Sequence, residues 1–260
     1  MTDVVEHNRK AWNKESASGK SPWCQPVDEW TIAEARAGRW AVILTPAAPV
    51  PDVWFDGVRD KQVLCLASGG GQQVPVLAAA GARVTSFDIS EEQLARDRFV
   101  AERDGLDIEL VRGDMADLSC FESEHFDLVF HPVSNVFARD VRVVWRECHR
   151  VLKSRGRLLA GFMNPDYFLF DHDDLEAGAP LVVRYRLPFS ESTDSSPGRL
   201  QDRLDKCEAL EFSHSLSDQI GGQIEAGFVI AGFYEDRWTD EATRLNSYMP
   251  TFIATLAIKE

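Results

Sequence analysis

The apolar run Val63-Leu64-Cys65-Leu66 passes through Ala67-Ser68 into three consecutive glycines, Gly69, Gly70 and Gly71. A strand that breaks into glycines and then enters a helix lets backbone approach a nucleotide-like ligand closely. A second apolar run, Arg83-Val84-Thr85-Ser86-Phe87, ends in Asp88, whose carboxylate can accept from both hydroxyls of an adenosine ribose. A third run, 108–112, leads into Gly113-Asp114-Met115, and a fourth, Phe126–Phe130, into His131. Each residue also has a plainer reading. A glycine triplet can be a tight turn. Asp88 can cap a helix, although Ser90 competes for that role. Asp114 can be a turn residue, and a histidine that closes an apolar strand before Pro132 is more often a structural hydrogen-bonder than a base. Their joint placement at successive strand ends, where ligands of open α/β sheets bind, points to an adenosyl cofactor.

The elements that must hold these residues alternate. Strands are expected at 62–67, 83–88, 108–112, Phe126–Phe130 and 157–163, with helices over 71–80, about 90–104 and 139–152 between them. Pro75 falls in the first turn of its helix, where backbone N–H groups lack partners, and Gly81 closes that helix. Ser90 and Gln93 have capping-box spacing. Val141, Val144, Trp145, Cys148, Val151 and Leu152 form one apolar stripe. Beyond Asn164-Pro165 the alternation stops. Residues 166–211 hold 11 acidic and 5 basic residues and read as an insert on the substrate side, with one β-like run at 181–187 and a mobile polar loop from Ser190 to Gly198. A helix at 215–226 and strands at 228–237 and 251–259 close the chain, the last two as an antiparallel pair. Residues 1–60, with short helices at 4–14 and 26–37 and five tryptophans, read as a cap over a domain spanning 61–260.

Composition bounds the partners. With 44% hydrophobic and 27% charged residues the chain is of soluble globular type. No apolar run is long enough to span a bilayer, and the N-terminus lacks a signal-peptide pattern, so a cytoplasmic location is expected. A formal charge of −14 opposes binding to nucleic acids and anionic membranes. The five cysteines include no Cys-x-x-Cys pair, and His7, His125, His172 and His214 follow no ligand pattern, so no metal is expected. His149, off its helix's apolar stripe, is expected in solvent. Trp12, near Asn8 and Asn13, is either core or an aromatic that closes over the cofactor. The oligomeric state is not legible.

The run Arg146-Glu147-Cys148-His149-Arg150-Val151-Leu152-Lys153-Ser154-Arg155-Gly156-Arg157-Leu158 and the step Glu225-Ala226-Gly227-Phe228 resemble those of class I S-adenosylmethionine-dependent methyltransferases of the small-molecule type. The resemblance covers about residues 61–164 and 213–259. It implies a doubly wound, mostly parallel seven-stranded sheet of order 3-2-1-4-5-7-6 beneath the N-terminal helical cap. It also implies that Ala67, Ser68, Gly69, Gly70 and Gly71 wrap the methionine part of S-adenosylmethionine and that Asp88 holds the ribose. Ile89 would pack on the adenine, Asp114 would accept from its amino group with Met115 beside it, and His131 would lie by the transferable methyl. The implied reaction is methyl transfer to an O or N atom of a small molecule, with His131, Asp166, Tyr167 and His172 as candidate bases. Asn164-Pro165-Asp166-Tyr167 reads as a strand exit lining the substrate side. Two departures stand out: the family usually has an acidic residue where this chain has Cys65, indirectly holding the cofactor's amino group, and glycine where it has Ala67. They keep open a cofactor-binding module without catalysis. A nicotinamide oxidoreductase is the further alternative, disfavoured by Asp114, the terminal strand pair and the lack of a Tyr-x-x-x-Lys set.

Overall fold

Val63, Leu64, Cys65 and Leu66 are fully buried without polar alternation, as a strand covered on both faces must be. They belong to β1 (Gln62–Leu66) at the centre of the sheet in the computed structural model, which describes residues 3–260. Met1 and Thr2, the start of the N-terminal stretch read for a signal-peptide pattern, lie outside the described residues. The other strands are β2 (Arg83–Asp88), β3 (Ile108–Arg112), β4 (Phe126–His131), β5 (Leu152–Met163), β6 (Phe228–Asp236) and β7 (Phe252–Lys259). Their order is β3-β2-β1-β4-β5-β7-β6, with β7 antiparallel to both neighbours and the other pairs parallel. The chain leaves β1 for β2 and β3 on one side and returns to β4 on the other. That reversal opens a crevice at the C-terminal ends of β1 and β4.

One face of the sheet is covered by α2 (Glu29–Arg36), α3 (Gln73–Ala79) and α4 (Glu91–Asp104), around Val63, Cys65, Leu128 and Phe130. Val42, Leu44, Val50, Trp54 and Phe55 join that same core, so residues before 61 are packed into it. The opposite face carries α5 (Val141–Val151), whose stripe of Val141, Val144, Trp145, Cys148 and Val151 is buried against Leu64, Leu66 and Val129 as its spacing requires. Asp140 caps α5 through the Arg142 N–H. The long α1 (Val4–Ser18) lies along α4.

Several local expectations change. The turn at 154–156 lies inside β5, which starts at Leu152 and carries Arg155 at a φ of 63°, with a register shift against β4. The 181–187 run makes only an isolated bridge, Phe170 to Val183, and Val182 and Val183 stay exposed. Ser190–Gly198 is not a loose loop. It holds α6 (Glu191–Asp194) and the start of α7 (Pro197–Lys206), because buried Glu191 takes Arg203 at 2.9 Å from α7. The 215–226 helix is a π-helical turn over Ser217–Gly221 followed by a short helix, Gly222–Glu225. His149 is half-buried, edge-on to Phe228 at 5.1 Å, and its pKa is lowered first by burial and then by Lys259.

Gly161 on β5 shows how tightly the 40–58 segment docks. A Cβ there would lie 2.2 Å from the Leu44 carbonyl oxygen, which also accepts the Val133 N–H at 3.0 Å. Gly161→Ala is therefore expected to cost about 2–3 kcal/mol of stability in urea unfolding. A change below ~0.5 kcal/mol would contradict this docking.

Candidate active site

The glycine loop is held from beneath by two carboxylates. Asp88, closing β2, accepts the Gly69 N–H on Oδ2 at 3.1 Å and the Ser90 N–H on Oδ1 at 2.9 Å. Asp97, on the buried face of α4, accepts the Gly71 N–H at 2.7 Å and the Ser86 hydroxyl at 2.7 Å. The Gly70 N–H goes to the Gln93 carbonyl at 3.2 Å. All three glycine amides are thus engaged inside the fold. In a trans peptide the C=O points opposite to the N–H, so the carbonyls of Ser68, Gly69 and Gly70 turn away from the carboxylates. Among the described residues none of these three oxygens, nor that of Ala67, receives a backbone donor. The loop offers acceptors, which suits a positively charged ammonium better than a phosphate.

The glycines are also required by packing. A Cβ on Gly70 would lie 2.4 Å from the Trp23 carbonyl oxygen, and one on Gly71 3.0 Å from Pro26, because residues 22–27 lie directly on the loop. Ala67 occupies the left-handed region at a φ of 48°, where an L side chain costs roughly 1–2 kcal/mol.

Both carboxyls are buried without a cationic partner. Burial pushes Asp88 up to about 6, against the opposing pull of the Ser90, Gly69 and Ile89 amides. Burial likewise pushes Asp97 up to about 7, with Asp88's charge adding to the rise. Both bind protons more tightly folded than unfolded. Their contribution to stability is therefore full below about pH 4 and lost as pH rises through about 6 and 7. The Cys65 thiol is raised by burial and then by Asp97's charge, so it stays neutral.

Ser90 is the N-cap of α4, accepting the Gln93 N–H at 3.2 Å, and its own amide is taken by Asp88. The capping box is thus half made, since Gln93 Oε1 has no partner. Asp114 closes a turn through the Ala116 N–H at 3.0 Å, and Ile89 and Met115 are partly buried beside these strand ends. His131 is wholly buried at the crevice. It donates Nδ1–H to the Leu66 carbonyl at 2.9 Å, which leaves Nε2 as an unprotonated acceptor with no partner. Burial lowers its pKa to about 4. Ser68 Oγ is a further buried polar atom without a partner at this edge. Such orphaned atoms are what a polar ligand would satisfy, so these residues fit an adenosyl amino acid.

Trp12 is partly buried. It packs edge-on against Phe137 at 5.1 Å, while Asn8 is bonded to Leu210 and Asn13 accepts the Ser90 hydroxyl at 2.6 Å.

Beyond the end of β5, the insert encloses a second space of about 410 Å³, lined by Met163, Tyr167, His172, Arg199, Arg203 and Glu211. Tyr167 lies over His172 with ring centres 4.5 Å apart, and His172 Nδ1 is 3.8 Å from Glu211. Burial, then the Arg199 and Arg203 charges, lowers His172 to about 4, and burial raises Glu211 to about 7. Asp166 is exposed and does not line this space. Among the described residues no three His, Cys, Asp or Glu side chains converge as metal ligands, and no helix is long and apolar enough to cross a membrane.

Sequence reasoning missed Asp97, Glu211 and the two arginines. Asp97 had a signal: it interrupts the buried stripe Leu94, Val100, Ala101 of α4. The insert residues had none, because their partners lie far away in the chain.

A family model described as a methyltransferase domain matches residues 64–160. An uncharacterized methyltransferase of Bacillus subtilis (strain 168), YbaJ, is 48% identical over 259 residues, covering all of both chains. A ubiquinone biosynthesis O-methyltransferase of Pseudomonas syringae pv. tomato is 31% identical over 157 residues, 55% of this chain and 68% of that one. The crystal structure of an S-adenosylmethionine-dependent methyltransferase from Mesorhizobium loti superimposes with a TM-score of 0.62 at 22% identity, covering 80% of this chain and 94% of that one.

Ala67→Gly removes the left-handed side chain but adds ~0.5–1 kcal/mol of unfolded-state entropy. The expected net gain in urea unfolding is ~0.5 kcal/mol; a clear loss of stability would show that the Ala67 methyl contributes packing that offsets its backbone strain.

Proposed function

Because the chain belongs to the methyltransferase family, we propose that it moves a methyl group from S-adenosylmethionine to an O or N atom of a small molecule. The observation that carries this reading is the alignment of the Ala67–Gly71 loop, Asp88 and Asp114 at the C-terminal ends of β1, β2 and β3, with His131 at the end of β4. In this reading Ala67, Ser68, Gly69, Gly70 and Gly71 enclose the methionine part. Each Asp88 oxygen keeps a lone pair for the ribose hydroxyls, Ile89 and Met115 flank the adenine, and Asp114 takes its amino group.

The cofactor, when bound, supplies a methyl already activated on a sulfonium, so the protein mainly has to align nucleophile, methyl and sulfur and exclude water. His131, neutral and fixed by Leu66, orients the methionine arm as an acceptor. Its burial and low pKa make it a poor base for an acceptor entering from solvent. The acceptor is assigned to the cavity above β5, where Tyr167 gives it a flat wall. Glu211, raised by burial to about 7, can take a proton from a hydroxyl or amine as it attacks, with His172 beside it at 3.8 Å. A space of about 410 Å³ suits a small molecule. The acidic surface charge disfavours nucleic acid as the acceptor.

Calorimetric titration with S-adenosylhomocysteine, with NAD as control, is expected to give micromolar binding of the first and none of the second. Asp88→Ala should weaken that binding at least tenfold, ~1.4 kcal/mol; undiminished affinity would remove Asp88 from the site. In an acceptor screen, any true acceptor should lose at least tenfold in kcat/KM in Glu211→Gln while S-adenosylhomocysteine affinity stays within about twofold. Full activity of that variant would place the acceptor elsewhere.

A further inference from the structure

Cys65 on β1 is a buried neutral thiol, and a carboxylate, that of Asp97, stands near it. Cys65 and Ser86 are register partners in the β1–β2 ladder, so their side chains share a face. The helix over that face is α4, and its Asp97 accepts the Ser86 hydroxyl at 2.7 Å while also holding the Gly71 N–H at 2.7 Å. Asp97 is wholly buried. The titratable groups felt there are Asp88 on β2 and Cys65 on β1, neither of which supplies a compensating positive charge. A buried carboxyl with no cation costs stability wherever it ionises, and such sites concentrate where charge is used.

We infer that Asp97 is the positioning residue for the cofactor's amino group. It acts from a helix, by turning the Gly70–Gly71 peptide so that its carbonyl faces the ligand and by placing a negative charge behind the loop. This rests on the cofactor reading above. Two consequences follow from its buried, unpaired state. An arriving ammonium favours the ionised carboxyl, so binding near neutral pH releases a proton from Asp97. Removing the charge also removes the cost of burying it, so the neutral variant gains stability while losing affinity.

The test compares S-adenosylhomocysteine binding and melting temperature in the wild type, Asp97→Asn, and the double variant Cys65→Asp with Asp97→Ala. At pH 8 Asp97→Asn should bind at least tenfold more weakly than the wild type and melt at the same or a higher temperature. The double variant should recover affinity to within about threefold, because a carboxylate at position 65 shares the face of Ser86 and restores the charge behind the loop. Wild-type affinity should rise several-fold between pH 6 and pH 8, and that rise should flatten in Asp97→Asn. Should Asp97→Asn bind as the wild type does, the inference fails while the cofactor reading stands. If the double variant does not fold, the pH profile decides: wild-type affinity that is flat with pH overturns the inference. A wild type that does not bind S-adenosylhomocysteine overturns the cofactor reading, and this inference with it.

Discussion

Everything at the candidate site depends on how Asp88 and Asp97 seize the amides of the glycine loop. A loop of consecutive glycines has great conformational freedom in the unfolded chain and would not hold one shape by itself. Here the Gly69 N–H is fixed by Asp88 and the Gly71 N–H by Asp97, while the Gly70 N–H goes to the start of α4. Because peptide planes are rigid, fixing the donors inward fixes the acceptors outward. The loop becomes a row of carbonyl oxygens backed by negative charge. The stability lost by burying two unpaired carboxyls is the counterpart of that preorganisation.

The remaining architecture serves this arrangement. Two strands of the parallel sheet deliver Cys65 and Ser86 side by side, α4 lays Asp97 across them, and Ser90 starts that helix immediately after Asp88. Residues 22–27 then close over the loop so tightly that Gly70 and Gly71 leave no room for a side chain. The cap is therefore structurally continuous with the site, as its shared core with β1 also shows. On the far side, the insert is tied together by charge. Arg199 meets Asp171 at 2.6 Å and Arg203 meets Glu191 at 2.9 Å, beside the apolar cluster of Phe168, Phe189 and Val136.

How much of this was legible followed from the range of the interactions. Gly69–Gly71, Asp88 and Asp114 could be read because a strand end, a turn and a helix start are local and leave fixed spacings. The sheet order came from a resemblance, and the structure has it. The helicity of Ser190–Gly198 was not legible, since it depends on an ion pair between Glu191 and an arginine on the next helix. The failure of 181–187 to form a strand was equally hidden, since a β-like run pairs only where the tertiary fold brings it a partner strand. His149 was misplaced because the helix stripe was drawn too narrowly: Phe228 arrives from β6 to cover it. Asp97 was overlooked although a charge on a buried helix face was visible in the spacing of α4.

The most direct measurement of the central claim is amide hydrogen exchange of the wild type with and without saturating S-adenosylhomocysteine. Added protection is expected at residues 67–71, at 87–90 and at 113–116, the ends of three separate strands, together with the Trp23–Val27 segment that covers the loop. Exchange unchanged at all of these while the ligand is bound would place the cofactor elsewhere and contradict the site.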